Sequence, residues 1–243
     1  MVPFMHLTST APATEGGVPI VFLHGMTSSG ARDWPAQHWA DICVRGGRPA
    51  HVFDLPAHGN SAEVTAPDAV SIEKIVDHVI ALADDAGGTI DLVGYSLGAR
   101  LAWACAARHP AKIRRLVLGG ISTRDPLAVV DYEAAHQFID TGVTPADPVT
   151  ARISGLVAGT DMPHSVLHMM QGIGVDRFDP QAESPKGETL FVAGEADPMC
   201  TQIEDLCALV PDSQLVRVPG DHQSALRAPE FQQAALRFLS VQA

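Results

Sequence analysis

Short runs of apolar and β-branched residues recur along the chain, at residues 18–23, 51–55, 90–93, 113–118, 189–192 and 215–218. Between most of them the apolar period changes. Ile72, Ile75, Val76, Val79, Leu82 and Ala83 follow steps of three and four, which draws one apolar stripe along a helix. Leu97 to Arg108 is alanine-rich and reads as a buried helix that stops before Pro110. Residues 231–239 read as a last amphipathic helix. A short strand that is apolar at nearly every position has no face to give to water, so both faces must be covered. Alternation of such strands with helices predicts an α/β fold with a mostly parallel central sheet and helices on both sides.

The alternation breaks at residues 122–186. No convincing strand occurs there; the stretch carries Pro145, Pro148, Pro163, Pro180 and Pro185, with short helical pieces at residues 132–140 and 165–171. A long insertion in a compact domain commonly serves function. The organisation expected is a core of residues 1–121 and 187–243, with 122–186 as a small helical lid.

Charge narrows the partners. A formal net charge of -12 with no strongly basic stretch would be repelled by a nucleic-acid backbone, so no nucleic-acid partner is expected. The N-terminus has neither a basic start nor a continuous apolar run, so no signal peptide is expected. No run of ~18 apolar residues occurs, so no membrane span is expected. The four cysteines, Cys43, Cys105, Cys200 and Cys207, form no CxxC pair and read as reduced thiols of a cytoplasmic protein.

The sharpest motif is Gly94-Tyr95-Ser96-Leu97-Gly98, a G-x-S-x-G placed between a strand and a helix. A serine on so tight a turn leaves no room for side chains beside it, and the two glycines provide the space. The turn lifts the Ser96 hydroxyl above the carboxyl edge of the sheet. The free N–H groups of the following helix point at the same spot, where they favour a developing oxyanion.

The residues of this turn resemble the α/β-hydrolase superfamily, and the resemblance extends over nearly the whole chain apart from the insertion. His24-Gly25 after the 18–23 strand is similar to the family's HG motif. The resemblance implies that the backbone N–H groups of Met26 and Leu97 form the oxyanion hole, and that His24 is not the base. Residues 53–61, with Asp54, Pro56, His58, Gly59 and Ser61, resemble the D-x-P-G-x-G-x-S turn, with Ala57 in place of the first glycine. This turn is expected to shape a loop behind the site.

A serine hydroxyl needs a base to take its proton, and imidazole titrates in the useful range. Among 11 histidines, family order places the base after the last strand, where His222 lies and no histidine follows. The acid is expected after the preceding strand, where Gly194-Glu195-Ala196-Asp197 matches strand-G-x-x-D. Asp197 is favoured; Glu195 two residues earlier and Asp125 after the 113–118 strand are the competitors.

Residues with weaker claims on substrate are His24, Gly25, Arg100 and Met169. Arg100 completes an S-x-G-x-R pattern that resembles menaquinone-pathway members, which hold acidic substrates with arginines; a salt bridge within the fold is the competing reading. His164 and His168 stand one helical turn apart like zinc ligands, but the glutamate of H-E-x-x-H is absent, and no metal is expected. The expectation is a serine hydrolase of a small-molecule ester or thioester, with catalytic Ser96, His222 and Asp197 and no cofactor. The alternatives are a lyase or carbon–carbon bond hydrolase on the same triad, and a ligand-binding member without catalysis. Substrate identity and oligomeric state are not legible.

Overall fold

The computed structural model describes residues 4–12 and 16–241. Seven strands, β1 (His6–Thr10), β2 (Ile20–Leu23), β3 (Ala50–Asp54), β4 (Ile90–Tyr95), β5 (Ile113–Gly119), β6 (Glu188–Gly194) and β7 (Ser213–Val218), form one sheet in the order β1-β3-β2-β4-β5-β6-β7. Every pairing is parallel except β1 with β3. The helices are α1 (Gly30–Asp33), α2 (Ala40–Arg45), α3 (Ile72–Asp85), α4 (Leu97–Arg108), α5 (Tyr132–Thr141), α6 (Pro148–Val157), α7 (Pro163–Gly174), α8 (Ile203–Ala208) and α9 (Pro229–Phe238).

The apolar strand runs are divided residue by residue between two cores. Val21, Leu23, Leu116, Leu118 and Phe191 face one core, with Ile75, Val76 and Val79 of α3 and Leu101 of α4. Their neighbours Ile20, Phe22, Val117, Leu190 and Val192 face the other, with Trp34, Trp39, Cys43 of α2 and Phe231 and Leu236 of α9. Alternate residues of a strand point to opposite faces, so a sheet covered on both sides requires apolar residues at both parities. That is why the strands read as unbroken apolar runs.

Two elements lie outside the expectation. The antiparallel edge strand β1 is half exposed and made of His6, Leu7, Thr8, Ser9 and Thr10, so it has no apolar run to announce it. Helix α6 begins at Pro148, with Asp147 as its N-cap accepting the Thr150 N–H; α7 likewise begins at Pro163. Proline at the first helical position forfeits an N–H that has no helical acceptor anyway, so both prolines suit the helix starts they occupy. Helices α5, α6 and α7 all fall between β5 and β6, and α5 packs on both α6 and α7. Among the described residues no helix is long and apolar enough to cross a membrane.

Candidate active site

The turn from β4 into α4 holds Ser96 at φ +53° and ψ −114°, a conformation costly for a residue with a Cβ. A Cβ on Gly94 would sit 2.3 Å from the Gly98 carbonyl oxygen, and one on Gly98 would sit 2.2 Å from that of Leu23. Both positions therefore admit glycine alone. The Ser96 N–H donates to the Gly119 carbonyl at 2.8 Å, which ties the turn to β5.

His222 lies on the loop after β7, and Asp197 follows β6. His222 Nε2 is 2.9 Å from Ser96 Oγ, and its Nδ1 is 2.8 Å from Asp197 Oδ2. With the carboxylate accepting the Nδ1–H, Nε2 carries the lone pair that faces the serine hydroxyl. The Asp197 side chain is buried and that of His222 is 26% exposed, so the chain of bonds runs from the interior to an accessible edge. Asp197 Oδ1 accepts the Met199 N–H at 2.8 Å, and Oδ2 also receives the Cys200 thiol at 3.2 Å. Burial acts to raise the Asp197 pKa, but the hydrogen bond and charge of His222, with the Met199 and Cys200 donors, outweigh it and hold the carboxyl below its ordinary value. Glu195 is exposed, and Asp125 is engaged by Arg100, so neither competitor reaches the imidazole.

Two residues at this site carry no sequence signal of their role. Tyr95 donates its hydroxyl to the His222 carbonyl at 2.6 Å, pinning the histidine loop to the strand that carries the serine. Cys200 lends its S–H to Asp197.

The loop after β2 is anchored through alternate N–H groups. The Gly25 N–H donates to Asp33 Oδ2 at 2.8 Å and the Thr27 N–H to His58 Nε2 at 3.1 Å. No acceptor for the N–H of Met26, between them, or of Leu97, the first residue of α4, lies among the described residues. A Cβ on Gly25 would lie 3.5 Å from Ser96 Cβ, so this loop runs directly beside the serine.

Three of the residues with weaker claims on substrate, His24, Arg100 and Met169, lie buried in the structure. His24 is fully buried, its Nδ1–H donating to the Gly25 carbonyl at 2.7 Å and its Nε2 accepting the Leu55 N–H at 2.9 Å. Burial lowers its pKa to about 4, and neither nitrogen is free for a ligand. Arg100 is also buried, with its guanidinium bonded to Asp125 Oδ1 at 2.5 Å and to the Asp176 carbonyl at 2.6 Å. The arginine shares a helix face with Ser96, but its long side chain runs to the two ends of the 122–186 insertion. Met169 is fully buried in the same apolar cluster as Leu97 and presents no surface to a ligand. The paired histidines of α7 are likewise engaged: His164 bonds His136 of α5 at 2.7 Å and Asp140 at 3.0 Å, and His168 bonds the Val64 carbonyl at 3.0 Å.

A strained serine at a strand-to-helix turn, with its histidine and aspartate partners on later strand ends of a mostly parallel sheet, is the arrangement of the α/β-hydrolase fold. The chain belongs to the alpha/beta hydrolase family, whose model matches residues 20–235. An enol-lactonase from Burkholderia xenovorans LB400 superposes with a TM-score of 0.73 at 22% identity, covering 97% of this chain and 96% of that one. In sequence, the chain is 36% identical over 110 residues to 2-succinyl-6-hydroxy-2,4-cyclohexadiene-1-carboxylate synthase of Yersinia pestis (strain Pestoides F), over 44% of this chain and 37% of that protein. It is 28% identical over 156 residues to the chloroplastic protein PHYLLO of Arabidopsis thaliana, over 58% of this chain and 9% of that protein. The matches thus span well under half the length of these curated relatives.

Proposed function

We propose that the protein is a serine hydrolase that cleaves a small carboxylic ester or thioester through an acyl-enzyme. The observation that carries this reading is the unbroken hydrogen-bond chain from Ser96 Oγ through His222 to Asp197, at 2.9 and 2.8 Å. His222 takes the hydroxyl proton as Ser96 attacks the carbonyl carbon. The Met26 and Leu97 N–H groups receive the oxyanion of the tetrahedral intermediate. Asp197 stabilises the imidazolium, which then protonates the leaving group. Water, deprotonated by His222, releases the acyl group and restores the serine. The 122–186 insertion acts as the lid, packed through Leu127, Val166, Met170 and Ile173 onto the cluster that holds Leu97.

The second reading is a lyase in which the same triad moves a proton without an acyl-enzyme. The likeness to the Yersinia synthase favours it. The Arg100–Asp125 pair opposes it, because the arginine that would hold an acidic substrate is already neutralised.

The test is mass-spectrometric mapping of fluorophosphonate labelling, with turnover of p-nitrophenyl esters of graded chain length. Labelling at Ser96, lost together with turnover in Ser96→Ala and His222→Ala, is expected. A labelled serine without esterase activity favours the lyase, and a fully active Ser96→Ala protein sinks both readings.

A further inference from the structure

We propose that His58 is a positioning residue of the oxyanion loop: its Nε2 accepts the Thr27 N–H and thereby aims the neighbouring Met26 N–H at the substrate oxygen. The inference rests on the reading of Ser96 as nucleophile. Successive peptides in an irregular loop are free to rotate, and an oxyanion donor is useful only when it is fixed before the reaction. Here the peptide that carries the Met26 N–H is held through its Gly25 carbonyl, and the next peptide is held through the Thr27 N–H. Asp33 holds the Gly25 N–H through Oδ2 and the Ser28 hydroxyl through Oδ1, at 2.8 and 2.5 Å. His24 holds the Gly25 carbonyl at 2.7 Å. On the other side the Thr27 N–H is anchored, among the described residues, by His58 alone.

That anchor works against strain. Thr27 has φ +60°, in the left-handed region that a β-branched residue resists. The loop therefore needs a definite partner to stay in this conformation. His58 is built to be one. It is 4% exposed, and its Nδ1–H donates to the Pro56 carbonyl at 2.9 Å, which leaves Nε2 as the lone-pair nitrogen. Burial, helped by the adjacent His24 at 5.2 Å between ring centroids, lowers its pKa to about 3 against the opposing pull of Pro56, Asp54 and Asp33. The ring thus stays neutral, and Nε2 an acceptor, well below neutral pH. The anchor arrives from the turn after β3, so a loop remote in sequence sets the geometry of the oxyanion hole.

Two measurements test this. Histidine ring 1H–15N correlation spectra of the wild-type protein should show His58 as the Nδ1–H tautomer; an Nε2–H tautomer overturns the inference without reference to activity. The variant His58→Leu removes the acceptor, whereas His58→Gln offers an amide oxygen at the reach of Nε2. Misplacing one oxyanion donor is expected to lower kcat of His58→Leu by roughly 10- to 100-fold, somewhat less than deleting a donor outright, with KM little changed. The rate of fluorophosphonate labelling should fall in parallel, and His58→Gln should recover most of both. Wild-type kcat in a folded His58→Leu protein overturns the inference. If His58→Leu fails to fold, the tautomer decides. Turnover that survives Ser96→Ala sinks the parent reading and the oxyanion role with it; turnover lost in Ser96→Ala but undiminished in His58→Leu sinks the positioning role alone.

Discussion

At the scale of single residues, the histidine–carboxylate bond is tuned by a thiol. Cys200 is buried, and burial pushes its pKa far above the ordinary thiol value, so it stays an S–H donor to Asp197 Oδ2. A thiol is a weak donor, and its loss is expected to cost on the order of 1 kcal/mol, which corresponds to roughly fivefold in kcat/KM for Cys200→Ala. Cys200→Ser should restore the rate, since a hydroxyl donates at least as well. Steady-state kinetics of the two variants check this, and equal losses in both would assign the effect to packing instead. The juxtaposition of Ser96, His222 and Asp197 was legible in the sequence because each follows a strand in family order, and order needs no distances. Cys200, Tyr95 and His58 were not, because what they do depends on which atoms the folded chain brings within bonding reach.

At the scale of elements, the helix that begins after Ser96 also secures the 122–186 insertion. Arg100 joins Asp125 near its start to the Asp176 carbonyl near its end, and Asp125 in turn accepts the Phe178 N–H at 2.9 Å. Trp103 donates to the Glu183 carbonyl at 2.7 Å, and Arg108 bonds Asp176 at 2.6 Å. Removing one partner of a buried pair strands the other charge, so Arg100→Met is expected to destabilise the fold by about 3–5 kcal/mol. Amide hydrogen exchange should quicken across residues 122–186 in that variant. A double variant, Arg100→Met with Asp125→Leu, should regain much of the loss in urea unfolding. The S-x-G-x-R pattern exposed this arginine in the sequence and left two readings open; the packing selects the internal salt bridge. Strand β1 was hidden for a different reason, its place at the sheet edge, where no alternation of buried residues is imposed.

At the scale of the whole molecule, two buried neutral histidines couple folding to pH. His24 and His58 have pKa values lowered by burial to about 4 and about 3, against 6.5 when exposed. The unfolded chain therefore binds more protons than the native one between pH 6.5 and these values. Their contribution is complete above pH 6.5 and is lost as the pH falls toward 4 and then 3, by as much as roughly 3–5 kcal/mol for each. Asp33, whose carboxyl is raised by burial, acts in the opposite sense over the carboxylate range. Unfolding midpoints should be level above pH 6.5 and fall between pH 6.5 and 4.5, and the slope should lessen in His58→Gln. The parallel, doubly covered sheet was legible from the unbroken apolar runs; this acid sensitivity was not, because eleven histidines look alike until burial separates them.

The backbone of Ser96 has a consequence for how this chain has settled between robustness and reactivity. At φ +53° and ψ −114° a Cβ is penalised by about 1–3 kcal/mol, and glycine escapes that penalty. Neither Ser96→Gly nor Ser96→Ala keeps the hydroxyl, so they differ in the Cβ alone. Ser96→Gly should melt at the higher temperature, reversing the usual advantage of alanine. The native serine would then mark a place where durability has been surrendered to hold a reactive oxygen in view.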